Sequence, residues 1–246
     1  MTGLLIPEGV DINGLNEEGL TALFVACYAQ NYEMAEALIS RGADVNKGTS
    51  DGWTPLMAAA MKADHQIASL LINFGADARL INDDNGCNAF MYAAQVGSLE
   101  IVRLLAPLSE LNAKSKEGWT ALMLASQNNH LSVISALLTE IPGIIINTAD
   151  ARGFTALHYA AQEDHLEVVK MLLAHGSDPN QVDQNGVAPL HMVSLLNYVE
   201  MVKLLVQSGA KVNAKNATGA TPLKIAKLAG NQEIVEFLLL NGAQDE

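Results

Sequence analysis

A glycine followed closely by Thr-Pro-Leu, Thr-Ala-Leu or a near variant recurs at Gly19, Gly52, Gly86, Gly118, Gly153, Gly186 and Gly219. The intervals are 33, 34, 32, 35, 33 and 33 residues, a register too regular for chance. A chain with this period folds as an array of similar units, each too thin to bury its own apolar face. Stacking is therefore obligatory.

Each piece of the unit has a physical job. In Asp51-Gly52-Trp53-Thr54-Pro55-Leu56 the Asp-Gly pair suits a tight turn that needs positive φ. Thr54 caps the first helix and Pro55 fits its first position; Thr21, Thr120, Thr155 and Thr221 repeat the capping role. Small residues follow, as at Ala59 and Ala60, Ala93 and Ala94, and Ala160 and Ala161, so that neighbouring helices approach closely. A second helix then carries aliphatics at helical spacing, for instance Leu166, Val169, Leu172 and Leu173. It stops at a glycine suited to a left-handed cap: Gly42, Gly75, Gly176, Gly209 or Gly242. An extended arm follows, as in Asp44-Val45-Asn46 or Lys211-Val212-Asn213.

On these motifs, above all Gly153-Phe154-Thr155-Ala156-Leu157-His158-Tyr159-Ala160-Ala161 with Leu166 to Leu173, the chain resembles the ankyrin-repeat family. The resemblance covers nearly the whole sequence. It implies an all-α repeat solenoid of helix-turn-helix units with β-hairpin fingers, and a concave side that binds proteins. The repeats read as 18–50, 51–84, 85–116, 117–151, 152–184, 185–217 and 218–246, after an N-terminal remnant at 1–17 that includes Gly9-Val10-Asp11-Ile12-Asn13. Together they make one domain. The resemblance also implies that finger asparagines such as Asn46, Asn180 and Asn213 are open to hydroxylation in an animal cell.

The third repeat departs from the pattern: Asn88-Ala89-Phe90 replaces Thr-Pro-Leu, which weakens the cap unless Asn88 supplies it, and no glycine ends its second helix. The fourth ends in Ile141-Pro142-Gly143 at the longest interval. At the last repeat Lys224 and Lys227 replace interior-type residues, a polar end cap. At the other end Leu4, Leu5 and Ile6 are candidates to cover the first repeat.

Composition narrows the partner. Hydrophobic residues make up 50% of the chain and aromatics only 5%, so aliphatic and small side chains do most of the packing. The formal net charge of −13 repels phosphate backbones and anionic membranes, and favours a protein partner with a basic surface. Cys27 and Cys87 fall two repeats apart on different kinds of element, beyond bridging reach. A reducing compartment follows, and with no basic leader region the expected location is the cytoplasm, with the nucleus left open. A monomer is expected.

Motifs for chemistry are weak. Gly48-Thr49-Ser50-Asp51-Gly52 matches a nucleophile elbow as text but lacks the strand before it. Asn82-Asp83-Asp84-Asn85-Gly86 has Ile81 and Tyr92 where a calcium loop needs acids. His158 and His191 share one register position and His130 and His165 another; with too few converging ligands for zinc, they read as caps or inter-repeat hydrogen bonds. Lys211, Lys215, Lys224 and Lys227 have no glycine-rich loop to cradle phosphate. Neither a cofactor, a metal nor an enzymatic activity is expected.

The expected binding residues face outward. The position after each repeat glycine is Leu20, Trp53, Cys87, Trp119, Phe154, Val187 and Ala220, an apolar stripe rimmed by Asp51, Asp84 and Glu117. Beside it runs a first-helix row of Tyr28, Met61, Gln95, Gln127, Gln162, Leu195 and Leu228. Met57, Met91 and Met123 also align, as adaptable packing between repeats. The stripe side chains have two readings, contact with a partner and packing on the neighbouring finger; the first predicts that Trp53→Ala with Trp119→Ala spares stability while weakening binding. The sequence thus points to a non-enzymatic adaptor, scaffold or inhibitor. The alternatives are a regulatory or targeting fragment of a larger enzyme, and a secreted effector acting on host proteins.

Overall fold

The structure, a computed structural model, describes residues 11–244. Leu4, Leu5 and Ile6 lie outside the described residues. Among the described residues the fold is an all-α repeat solenoid, and the contacts divide it into two compact units, the first ending at Glu117 and the second starting at Gly118. In the first unit, α1 (Ala22–Tyr28) pairs with α2 (Tyr32–Ser40), α3 (Pro55–Met61) with α4 (His65–Asn73), and α5 (Ala89–Val96) with α6 (Leu99–Leu105). In the second, α7 (Ala121–Gln127) pairs with α8 (Leu131–Thr139), α9 (Ala156–Gln162) with α10 (Leu166–Ala174), α11 (Pro189–Leu196) with α12 (Val199–Gln207), and α13 (Pro222–Ala229) with α14 (Gln232–Leu240).

First helices stack on first helices in each unit, α3 between α1 and α5, and α9 and α11 between α7 and α13. The alanines make this possible: Ala58, Ala59, Ala60, Ala93, Ala94, Ala160 and Ala161 are fully buried at the contacts. Met57, Met91 and Met123 fill the spaces between them and are equally buried. The second helices form the other layer, burying one face, for example Val168, Val169 and Leu172.

The caps follow the expected chemistry. Thr21, Thr54, Thr120, Thr155 and Thr221 each accept the N3 amide of the helix they open. In the third repeat Asn88 does the same, accepting from Met91 at 2.9 Å, so that cap is supplied by asparagine. Gly42, Gly75, Gly176, Gly209 and Gly242 all adopt left-handed backbone. Without such a glycine, α6 tightens into a 3-10 turn, Ala106–Leu108.

The fingers are turns more than strands. The one β-bridge among the described residues joins Ile81 to Asn88. Elsewhere a finger is closed by a pair of backbone bonds: Thr49 donates to Trp53 at 2.9 Å and Gly52 to Thr49 at 3.0 Å, and Asp150 donates to Phe154 at 2.9 Å and Gly153 to Asp150 at 3.1 Å. An anchor side chain at its base braces it further: Asp150 Oδ1 accepts the amides of Arg152 and Phe154, and Asp183 Oδ1 those of Asn185 and Val187.

Neighbouring repeats are then sewn together. Backbone amides of Ser50, Asp83 and Lys116 donate to the preceding fingers at Gly19, Asp51 and Asn85, and in the second unit Gln184 and Ala217 donate to Arg152 and Asn185. Arm asparagines add a second seam. Asn180 donates to the Gly209 carbonyl at 3.1 Å and accepts the Lys211 amide at 2.8 Å; Asn46, Asn147 and Asn213 make the same pair of bonds.

The finger seam explains the repeat glycine. Gly153 has φ +89°, and a Cβ there would lie 2.8 Å from Asp183 Cα, inside the next finger. Gly176, with φ +93°, would meet nothing within 4 Å. Gly176→Ala should therefore cost about 1 kcal/mol, the left-handed penalty alone. Gly153→Ala should cost about 3 kcal/mol or more, because the neighbouring backbone must also move. Equal urea midpoints for the two variants would reject the close-approach account.

The histidines are structural. His158 Nδ1 accepts the Thr155 amide at 3.2 Å, and Nε2 donates to the Val187 carbonyl of the next repeat at 3.3 Å. His191 Nδ1 likewise accepts its cap amide, from Ala188 at 3.1 Å, but its Nε2 donates to the Ala214 carbonyl in the arm after α12, at 3.0 Å. His165 Nε2 bonds the Gln127 carbonyl at 2.9 Å. Burial holds His158 and His191 below the usual imidazole range, against the pull of their carbonyl partners. With folded pKa values below the unfolded value of about 6.5, unfolding takes up protons as the solution is acidified. Stability should hold above about pH 6.5 and fall as the pH drops towards 5. Urea midpoints across this window should show the decline, and His158→Asn with His191→Asn should flatten it. An equally steep decline in that double variant would contradict the assignment.

Candidate functional site

In the first unit, the finger turn directs Trp53, the residue after Gly52, towards the first helix of the following repeat. Trp53 is half-buried, its indole stacked on Tyr92 with ring centroids 4.7 Å apart. The Tyr92 hydroxyl accepts from Asn82 at 2.7 Å and donates to Asn85 at 3.1 Å, tying helix α5 to the finger beneath the indole. Burial pushes the Tyr92 phenol up to about 12, so it stays a neutral donor.

Leu20 is half-buried and offers a small apolar edge. Cys87 departs from the outward-facing expectation. It is 7% exposed, its thiol beside the Tyr92 side chain of the same repeat. The first-helix row is more open: Tyr28 and Gln95 are exposed and Met61 is half-buried. Tyr28 stacks on Phe24 at 6.0 Å and carries the Lys62 ammonium 3.9 Å above its ring. Asp51, Asp83, Asp84 and Glu117 are all exposed on the finger tips.

The second unit repeats the aromatic device. Trp119, half-buried, packs on Tyr159 at 4.1 Å, and Phe154 meets the same ring edge-on at 5.5 Å. Tyr159 donates to the buried Asp150 carboxylate at 2.6 Å and accepts from the Arg152 guanidinium at 2.6 Å, while Arg152 covers the Phe154 ring at 4.8 Å. Burial works against the Asp150 charge, but Tyr159 and the amides of Phe154 and Arg152 outweigh it and hold the carboxyl below its ordinary value. Val187 and Ala220 are half-buried at the later finger positions. In the helix row Gln127 and Gln162 are half-buried, Gln162 donating to Glu163 at 3.2 Å, whereas Leu195 and Leu228 are exposed.

The tyrosine platforms were missing from the sequence reading, though a signal was present. Tyr92 and Tyr159 hold the same register position, and each lies one repeat after a tryptophan.

The text motifs for chemistry dissolve into architecture. Ser50 sits in a finger turn with no strand before it, its amide donating to the Gly19 carbonyl at 2.8 Å. Asn82 is buried, bonded to Tyr92 and to the amides of Asn85 and Gly86. Cys27 and Cys87 are both free thiols, and burial pushes them up to about 12 and about 11, which leaves them protonated and unreactive at neutral pH. Among the described residues no three histidine, cysteine or carboxylate groups converge to hold a metal ion, and no helix is long and apolar enough to cross a membrane.

The comparisons agree with this geometry. Family models described as ankyrin repeats match residues 46–115, 107–183 and 175–245, and a further ankyrin-repeat model matches 5–60. Among solved structures, the ankyrin repeat domain of Bcl-3, described as a unique member of the IkappaB protein family, is similar at 26% identity. The TM-score is 0.77, and the match covers 91% of this chain and 100% of that one. No curated protein matches the sequence. Since the ankyrin models tile nearly the whole sequence and the stacked helix pairs repeat in the same register, the chain belongs to the ankyrin-repeat family.

Proposed function

We propose that this chain is a non-enzymatic adaptor, scaffold or inhibitor, a single seven-repeat domain that binds a protein through its fingers and first helices. One observation carries the reading. In each unit a tryptophan is clamped against a hydrogen-bonded tyrosine yet keeps part of its indole open to solvent. Such a ring is rigid before binding, so little side-chain freedom is lost when a partner covers it. The contact set is Leu20, Trp53, Trp119, Phe154 and Val187 on the fingers, with Tyr28, Met61, Gln95, Gln127 and Gln162 beside them. Cys87 supports these from behind.

The net charge of −13 and the exposed acids around Trp53 support a partner with a basic face, and speak against nucleic acid. The protein works as a monomer in the cytoplasm or nucleus on this reading. Recognition requires no covalent step.

Trp53→Ala with Trp119→Ala does not isolate binding from folding, because both indoles also pack on the next repeat. Each substitution should cost about 2 kcal/mol of stability. Trp53→Phe with Trp119→Phe keeps a ring on each tyrosine and removes the outer edge. That pair should melt within a few degrees of wild type and lose about tenfold in affinity for a protein captured from native lysate, a drop of about 1.4 kcal/mol. Undiminished binding by the phenylalanine pair, measured calorimetrically with the captured protein, would overturn the assignment.

A further inference from the structure

Away from the fingers, in the layer of second helices, a groove of about 400 Å³ runs between α10 and α12. It is lined by Lys170, Leu173, Ala174, Ser177, Leu204 and Ser208. Ser177 sets this groove apart. After Gly42, Gly75, Gly209 and Gly242 the arm begins with an alanine, Ala43, Ala76, Ala210 and Ala243, whereas Gly176 is followed by serine. Ser177 is 6% exposed, as buried as Ala43, Ala210 and Ala243, and its hydroxyl has no hydrogen-bond partner among the described residues. A buried hydroxyl left unpaired weakens a fold, and alanine at the same place avoids that cost. The arm therefore needs the small side chain but not the oxygen.

Three groups in the groove donate hydrogen bonds. Ser177 and Ser208 bring hydroxyls, and a serine moves between staggered χ1 rotamers, so the Ser177 oxygen turns to a ligand without backbone movement. Lys170 brings an ammonium. It lies 2.7 Å from Glu167 in an i,i+3 pair whose side chains are 49% and 63% exposed, and such a pair is weak enough to share its cation with a second anion. No carboxylate lines the groove; Leu173, Ala174 and Leu204 supply the rest of the wall.

We infer that this groove is a ligand site, and that it takes a carboxylate on a short aliphatic stem, either a free small acid or the C-terminal residue of a polypeptide. The ammonium and the two hydroxyls bond the carboxylate, while the stem lies on Leu173 and Leu204. Such a ligand supplies the acceptor that Ser177 lacks. The site lies on second helices and does not depend on the aromatic fingers.

The test is an amide NMR titration of the full chain with four probes: isovalerate, isovaleramide, and a pentapeptide ending in leucine with a free or an amidated terminus. A carboxylate probe should shift the amides of Ser177 and Ser208 and saturate near about 1 mM, within reach of so small a ligand, and its amide should bind about tenfold more weakly. Response to isovalerate identifies a small acid and response to the free-terminus peptide alone identifies a chain end; either supports the shared chemistry. Ser177→Ala should weaken binding about fivefold or more and yet melt about 2 °C or more above wild type, because the orphaned hydroxyl is gone. Lys170→Met, which keeps an unbranched stem, should weaken binding comparably, and Lys203→Met, whose lysine lies outside the groove between Glu200 and Glu233, should not. The proposal is overturned if neither carboxylate shifts these amides, if the amides bind as well as the acids, or if affinity survives Ser177→Ala. A lower melting temperature for Ser177→Ala, or equal losses from the two lysine variants, would overturn it as well.

Discussion

Because no single helix pair can bury its apolar face, the bonds that cross from one repeat to the next hold everything else in position. Three kinds of crossing recur. First helices meet through fully buried alanines and methionines, finger amides donate to carbonyls of the preceding finger, and arm asparagines bond an amide and a carbonyl of the following repeat. His158 adds a fourth, joining a helix cap to the next finger. Polar groups that would otherwise be orphaned at every turn are thereby satisfied by the neighbour, and register is fixed along with them.

This division of labour underlies the proposed reading of recognition. The repeating letters are consumed by turns, caps and seams, leaving the residue after the glycine and the exposed row of the first helix free to vary. Even there the separation is incomplete. Trp53 and Trp119 serve both sides, since the face that packs on tyrosine is structural and the edge left open is available to a partner. On the proposed reading, a rigid aromatic contact would couple binding to stability.

Much of this was legible in the sequence. The 33-residue register gave the helix pairs, threonine gave the caps and glycine the left-handed ends, because each rests on local chemistry that no tertiary context overrides. What stayed hidden depends on neighbours. The turn between the paired helices needs one left-handed residue per repeat, and it is filled by Gln30, Ala63, Gly97, Asn129, Asp164, Asn197 and Gly230, types too diverse to show a pattern. Cys87 is buried where the other residues after the repeat glycine are half-buried, and its finger carries a bridge at Ile81 and Asn88 with no counterpart among the other described fingers. The tryptophan and tyrosine pairing was visible only by reading two repeats together.

The direct test of neighbour-to-neighbour stabilisation is amide hydrogen exchange on Asn180→Ala, which removes one donor and one acceptor from a single seam at an expected cost of about 1 to 3 kcal/mol. Protection should fall in α10 and α12, on the two sides of that seam, while α2 and α4 in the other unit keep theirs. A uniform loss of protection across all the helices, or none anywhere, would contradict a fold held together repeat by repeat.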